Sequence, residues 1–119
     1  MSARNCRLEK SARNGQHEKS ARSGQAGTSL RKPSAIFAII GRPVSHSLSP
    51  QMHNAAFKMS GIDAIYVRLA SETSCGAVET LRSMGAKGFN VTSPYKEEML
   101  KLVESIDSEA GSIGAVNTV

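Results

Sequence analysis

Residues 35–50 read Ala35-Ile36-Phe37-Ala38-Ile39-Ile40-Gly41-Arg42-Pro43-Val44-Ser45-His46-Ser47-Leu48-Ser49-Pro50. Six apolar residues run without a break and stop at a glycine. A strand with one wet face alternates apolar and polar residues. An unbroken run suits a strand buried on both faces, as in a parallel sheet with helices above and below. The polar loop that follows ends in Ser49-Pro50, a helix start with serine at the cap and proline at the first helical position. Strand, polar loop and helix together make the first half of a βαβ unit.

The pattern repeats downstream. Met52, Ala55, Ala56 and Met59 share one face of the first helix, which predicts that this face is buried and that Gly61 ends the helix. Residues 65–69 read as a second strand. Thr73 or Ser74 can cap a second helix, with Ala77, Val78, Leu81 and Met84 inward and Gly85 as its stop. Residues 88–92 are a third strand. Ser93-Pro94 then predicts a third helix with Met99, Leu102, Val103 and Ile106 inward. A short turn region follows, and residues 115–119 read as a last strand. Strands alternating with helices mean an α/β fold, here a three-layer sandwich around a mainly parallel sheet. Ligands in such folds sit beyond the carboxyl ends of the strands, which points to loops 41–49, 70–74 and 92–94.

Residues 1–33 are of another kind. Ser2-Ala3-Arg4-Asn5 returns at Ser11-Ala12-Arg13-Asn14 and as Ser20-Ala21-Arg22-Ser23, a repeat of nine residues that matches neither a helix nor a strand face. So little apolar content predicts a disordered leader, with the folded domain occupying residues 34–119. The leader holds eight basic and two acidic side chains, and the rest holds seven and eight. The formal charge of +5 therefore belongs to the leader, which argues against a nucleic-acid surface on the domain. The leader lacks the apolar core of a secretory signal. Its Arg and Ser content leaves organelle targeting as a minor alternative to a cytoplasmic setting. Cys6 and Cys75 have no metal-ligand spacing, and a reduced pair is the simplest expectation. No apolar run approaches the roughly 18 residues that span a bilayer.

Three polar stretches carry chemistry. Ser47 and Ser49 are two apart, so in an extended segment their hydroxyls point the same way. Two hydroxyls beside the free N–H groups of a helix start suit a carboxylate. The plain structural role is also open: Ser49 as a cap and Ser47 as a turn partner. Asn90 and Thr92 alternate onto one face at the end of the third strand, and Lys96 falls in the first turn of the expected third helix. A cation is unfavourable there, which favours the neutral amine that proton transfer uses. The plain alternative is a surface lysine. Asn117, after Gly114-Ala115-Val116, offers a donor and an acceptor to a hydroxylated ligand, or else bonds loop backbone.

His46-Ser47-Leu48-Ser49-Pro50, Met52-His53-Asn54, Asn90-Val91-Thr92 with Pro94-Tyr95-Lys96, and Gly114-Ala115-Val116-Asn117-Thr118 occur in an order and spacing that resemble the shikimate dehydrogenase family. The resemblance covers about residues 35–119, the family's N-terminal substrate-binding domain, and none of the leader. It implies that Ser47 and Ser49 bind the shikimate carboxylate and that Asn90, Thr92, Lys96 and Asn117 bind the ring hydroxyls. It further implies that Lys96 is the catalytic lysine, assisting proton transfer as hydride moves between the substrate's C3 position and NADP. His46 and Tyr95 are expected to be structural, and His53 a packing histidine. Ser93 stands where the family often has an apolar residue. The family's catalytic aspartate lies beyond the asparagine matched by Asn117, while this sequence ends at Val119. No glycine-rich dinucleotide fingerprint is present, since Gly111-Ser112-Ile113-Gly114 lacks the spacing.

The expectation is therefore the substrate-binding portion of an NADP-dependent oxidoreductase that reduces 3-dehydroshikimate to shikimate in aromatic amino-acid biosynthesis. The 119 residues by themselves are expected to be inactive for want of the cofactor domain. The alternative is a non-catalytic binding module for a polyhydroxylated carboxylic acid such as shikimate or quinate. A third possibility, an interaction protein whose basic leader is the working part, rests on residues 1–33 alone.

Overall fold

The computed structural model describes residues 31–119. The expected disorder of the leader and the state of Cys6 lie outside the described residues. β1 (Ala35–Gly41) is the central strand of a three-stranded parallel sheet ordered β2-β1-β3, with β2 (Ala64–Ala70) on one side and β3 (Gly88–Val91) on the other. The apolar run is covered on both faces, as expected. Ala38 and Ile40 face one layer, where α2 (Ser74–Met84) sets Ala77, Val78 and Leu81 against them, with Phe89, Val91, Tyr95, Met99 and Val116. Phe37 and Ile39 face the other layer, where they pack with Val44, Tyr66 and Phe57 of α1 (Ser49–Met59). The fold is thus a three-layer α/β sandwich.

α2 has both expected terminators. The Thr73 hydroxyl oxygen accepts from the Gly76 N–H at 3.0 Å, and Gly85 closes the helix at φ +70°. Met84, expected inside, is 37% exposed at the end of the helix.

Three expectations are corrected. First, α1 presents the opposite face. Met52 is 63% and Met59 89% exposed, and Ala55 and Ala56 are exposed as well. The inward side carries His53, Asn54 and Phe57. The reason is a demand from the sheet: β2 is an edge strand, and the Asn54 amide serves its open edge. Asn54 Nδ2 donates to the Tyr66 carbonyl at 2.9 Å, and the Tyr66 N–H donates to Asn54 Oδ1 at 2.8 Å. Second, no long third helix starts at Ser93-Pro94. A turn is followed by a short 3-10 helix, Glu98–Lys101. Tertiary anchors win here. Tyr95 and Met99 are buried in the α2-side core, and Ile106, expected inside, is 42% exposed. A six-residue helix appears instead in the expected turn region: α3 (Ser108–Ile113), capped by the Asp107 carboxylate on the Ala110 N–H at 2.7 Å. Third, residues 117–119 return antiparallel to β3 through an isolated bridge, Asn90 to Thr118, rather than as a full strand. Cys75 is disulfide-bonded, where a reduced thiol is expected.

Candidate functional site

The carboxyl ends of β1 and β3 carry the polar stretches. They are held together at Gly41, where a Cβ would lie 2.3 Å from Thr92 Cγ2 and 3.0 Å from the Ser93 carbonyl oxygen. Only glycine allows that approach. The Arg42 N–H donates to the Ser93 carbonyl at 3.0 Å, and the Thr92 N–H donates to the Ile40 carbonyl at 2.9 Å. The serine loop and the loop bearing Thr92 and Lys96 therefore share one anchor.

In the first loop, Val44 is buried, and its carbonyl accepts from the Ser47 N–H at 3.1 Å. Leu48, rather than Ser49, is the N-cap of α1, and Ser49 is the first helical residue. The Ser47 hydroxyl oxygen accepts from the Ser49 N–H at 3.3 Å. Ser47 thus plays the turn-supporting part, while Ser49 does not cap. Both serines are half-buried.

In the second loop, Tyr95 has the expected structural role. It is buried, and its hydroxyl donates to the Ser71 carbonyl. The Glu98 carboxylate accepts from the buried Ser74 hydroxyl at 2.6 Å, pinning this loop to the start of α2. Lys96, between these anchors, is half-buried, and its carbonyl accepts from the Val116 N–H at 2.8 Å. Its ammonium has no side-chain partner among the described residues. The expected helix start is missing, so the electrostatic argument built on a helix terminus falls with it.

Asn90 lies in β3 as expected, and Thr92 follows its last residue, Val91, one position short of the expected strand end. Asn90 lies on the α1 side of the sheet. Its Oδ1 accepts from the Tyr66 hydroxyl at 2.6 Å, and its Nδ2 donates to Thr118 Oγ1 at 2.9 Å. The Asn117 carbonyl accepts from the Val91 N–H at 2.9 Å, and its side chain is exposed. The six expected residues thus lie on two adjoining loops, the end of β3 and the returning 116–118 segment, with no hydrogen bond from side chain to side chain among them. A largely apolar cavity of about 360 Å³ lies beside Tyr66, Asn90, His53 and Thr118 and includes neither serine nor Lys96.

Sequence reading missed two residues of β2 that serve this site. Tyr66 and Arg68 alternate onto the α1 side. Arg68 Nε and Nη2 both donate to the Ser47 carbonyl, and Nη2 also donates to Gln51 Oε1 at 2.8 Å. The Tyr66 ring stacks on His53, with centroids 4.3 Å apart and planes 10° from parallel. Burial pushes the Tyr66 phenol above its ordinary range, with the Ser49 side chain pulling the other way. The available signal was a tyrosine and an arginine at alternate positions of an otherwise apolar strand.

Half-buried hydroxyls, the half-buried Asn90 amide and a lysine at the carboxyl ends of parallel strands, with the exposed Asn117 on the returning segment, make the candidate polar-ligand site of an α/β domain. The family described as shikimate dehydrogenase substrate binding domain matches residues 39–119. The chain belongs to that family. It is 46% identical over 84 residues to the shikimate dehydrogenase (NADP(+)) of Pyrococcus abyssi, a match spanning 71% of this chain and 32% of that protein. Against the enzyme of the same name from Rubrobacter xylanophilus it is 49% identical over 89 residues, 72% of this chain and 31% of the relative. The chain therefore spans about a third of the length of these curated relatives. Its fold superposes on the shikimate dehydrogenase of Thermus thermophilus, solved with NADP(H) and shikimate, at TM-score 0.66 and 38% identity, covering 71% of this chain and 33% of that one. For the Aquifex aeolicus enzyme the values are 0.68, 39%, 71% and 33%.

The Gly111-Ser112-Ile113-Gly114 stretch does not have the geometry of a pyrophosphate-binding turn. Gly114 ends α3 at φ +75°, and Gly111 lies inside it. A pyrophosphate-binding glycine turn instead joins a strand to the start of a helix.

Proposed function

We propose that this chain is the shikimate-binding portion of an NADP-dependent shikimate dehydrogenase, with residues 34–119 as the binding domain. Ser47 and Ser49 hold the substrate carboxylate. Asn90, Thr92, Lys96 and Asn117 hold the ring hydroxyls, and Lys96 moves the proton at the reacting oxygen. The cofactor belongs to residues outside these 119, so no step here is assigned to it. The observation that carries the proposal is the contact at Gly41. It joins the serine loop to the loop of Thr92 and Lys96, so one small ligand can meet both. The superposed Thermus thermophilus protein, solved with shikimate and NADP(H), supports the choice of ligand.

No helix among the described residues is long and apolar enough to cross a membrane. A cytoplasmic setting is part of the proposal and rests on the apolar-poor sequence of residues 1–33. The test of function is titration calorimetry of the purified chain with shikimate, and with cyclohexanetriol as a ligand lacking the carboxylate. Saturable binding of shikimate alone is the expected result. Equal binding of both would remove the serines from carboxylate recognition, and no binding at millimolar shikimate would refute the assignment.

A further inference from the structure

Tyr66 does no chemistry in the scheme above, yet it is among the most constrained side chains near the site. Its residue is 4% exposed. Asn54 of α1 holds its backbone N–H and carbonyl, and His53, from the same helix, lies flat on its ring. The hydroxyl at the far end reaches across the sheet. Tyr66 is in register with Phe37 on β1, and Asn90 with Ile39. The 2.6 Å bond therefore crosses the central strand from one edge strand to the other.

In the structure the Asn90 amide points one way, with Oδ1 toward the Tyr66 hydroxyl and Nδ2 toward Thr118 Oγ1. An asparagine carries an acceptor oxygen and a nitrogen with two donors, and either arrangement fills the same volume. With the Tyr66 hydroxyl donating, the acceptor must be the oxygen on that side. The nitrogen then faces the other way, where one N–H goes to Thr118 Oγ1 at 2.9 Å and the second remains available.

We infer that Tyr66 is a positioning residue, which fixes the Asn90 amide so that its nitrogen donates to a ligand oxygen. The inference rests on the assignment of Asn90 to ligand binding made above and deepens it. The ligand atom that meets Asn90 acts as an acceptor, whether it is a ketone oxygen or the lone pair of a ring hydroxyl. An amide left free to turn would present an oxygen to that atom in part of the population, and binding would weaken.

The test is a double-mutant cycle on the full chain, with shikimate affinity as the readout. Tyr66→Phe keeps the ring, the stack on His53 and both backbone bonds to Asn54, and removes only the hydroxyl. Shikimate binding should weaken about tenfold, the effect of one lost hydrogen bond of ordinary strength. In an Asn90→Ala background the same change should have no further effect. Wild-type affinity in Tyr66→Phe would overturn the inference. So would an equal loss in both backgrounds, since Tyr66 would then act independently of Asn90. If the wild-type chain binds no shikimate, the functional assignment fails first, and that outcome is distinct from the other two. A Tyr66→Phe chain that does not fold leaves a measurement on the wild type: shikimate must shift the Asn90 side-chain NH2 resonances, and unshifted resonances refute the inference.

Discussion

Gly41→Ala tests whether the two halves of the site depend on one close contact. The position needs no unusual backbone conformation, since the positive-φ glycines among the described residues are Gly61, Gly85 and Gly114. An alanine is therefore tolerated by the backbone and opposed only by its neighbours. The added methyl lies 2.3 Å from Thr92 Cγ2, far inside van der Waals contact, and 3.0 Å from the Ser93 carbonyl oxygen. Overpacking of this kind costs about 1–3 kcal/mol. Replacing glycine by alanine also restricts the unfolded chain and returns about 0.4–1 kcal/mol. The net expectation is about 1–2 kcal/mol of destabilisation. That lowers the melting temperature by about 4–16 °C for a domain of this size, at about 4–8 °C per kcal/mol. Thr92 must also turn or move away, so shikimate affinity should fall more than stability alone explains. Thermal melts followed by circular dichroism, with calorimetric titration, give both readouts. The control is Thr92→Ser, which deletes the clashing methyl and keeps the hydroxyl. Gly41→Ala in that background should melt within a few degrees of Thr92→Ser alone. A Gly41→Ala protein as stable as wild type, or no recovery in the double variant, would refute the claim that this contact joins the loops.

Other expectations follow from named contacts. Asn54→Ala strands the N–H and carbonyl of Tyr66 on the open edge of β2 and should cost about 1–3 kcal/mol in urea denaturation; a loss below about 0.5 kcal/mol would mean that water replaces the amide at no cost. Ser47→Ala combined with Ser49→Ala should weaken shikimate binding by a few kcal/mol at most, at about 1.5–3 kcal/mol per bond to a charged group, and unchanged affinity would leave Ser47 as a turn residue only. In a longer protein that supplies the cofactor domain, Lys96→Ala should lower kcat by about 10²–10⁴ with a smaller change in KM, whereas a raised KM with intact kcat would make Lys96 a binding residue. The Asp63 carboxyl is held below its ordinary value of 3.8, first by the Ser34 hydroxyl, opposed next by desolvation, and lowered further by Arg31 and the Ser34 N–H. Its stabilising contribution is therefore present above about pH 4 and is lost as the pH falls through the lower folded value, so Asp63→Asn should flatten the acid limb of the stability curve.

The parts legible in sequence are those that depend on local signals. The run 35–40 marks the central strand because only a strand covered on both faces has no need of a polar side. Thr73 and Gly85 bound α2 because each satisfies its helix end with its own atoms. Asn90 and Thr92 fall at a strand end because β3 is short and its limits are sharp. The region after β3 is less legible. Met99 is fully buried there, as its apolar character promises, but the backbone reaches it through a turn held by Tyr95 on Ser71 and Glu98 on Ser74. Those partners lie 24 residues away, where no local rule finds them. α3 escapes sequence reading for the opposite reason: it is short, has no buried residue, and rests on the Asp107 cap instead of an apolar face.

The reversal of α1 shows why polar residues around this site could be listed from sequence but not arranged. The methionine positions predict the helix orientation only on the premise that apolar burial sets the rotation. Rotating Met52 and Met59 inward would bury them at the expense of Phe57, which packs in the α1-side core. It would also carry Asn54 away from the edge of β2, leaving the Tyr66 N–H and carbonyl without their present partners, and lift His53 off the Tyr66 ring. Methionines left in water give up about 1.5–3 kcal/mol each at most. A backbone donor and acceptor left unpaired near a core cost about 1–3 kcal/mol each, and the Phe57 packing adds to this second side. The directed bonds and the phenylalanine prevail, and the helix turns its amide and imidazole toward the sheet. That rotation fixes Tyr66, and Tyr66 reaches Asn90, so the placement of one candidate ligand-binding residue descends from the open edge of a strand two positions away in the sheet. Periodicity records how much each face would gain by burial. It does not record which backbone edge lacks a neighbour, because that depends on the strand order.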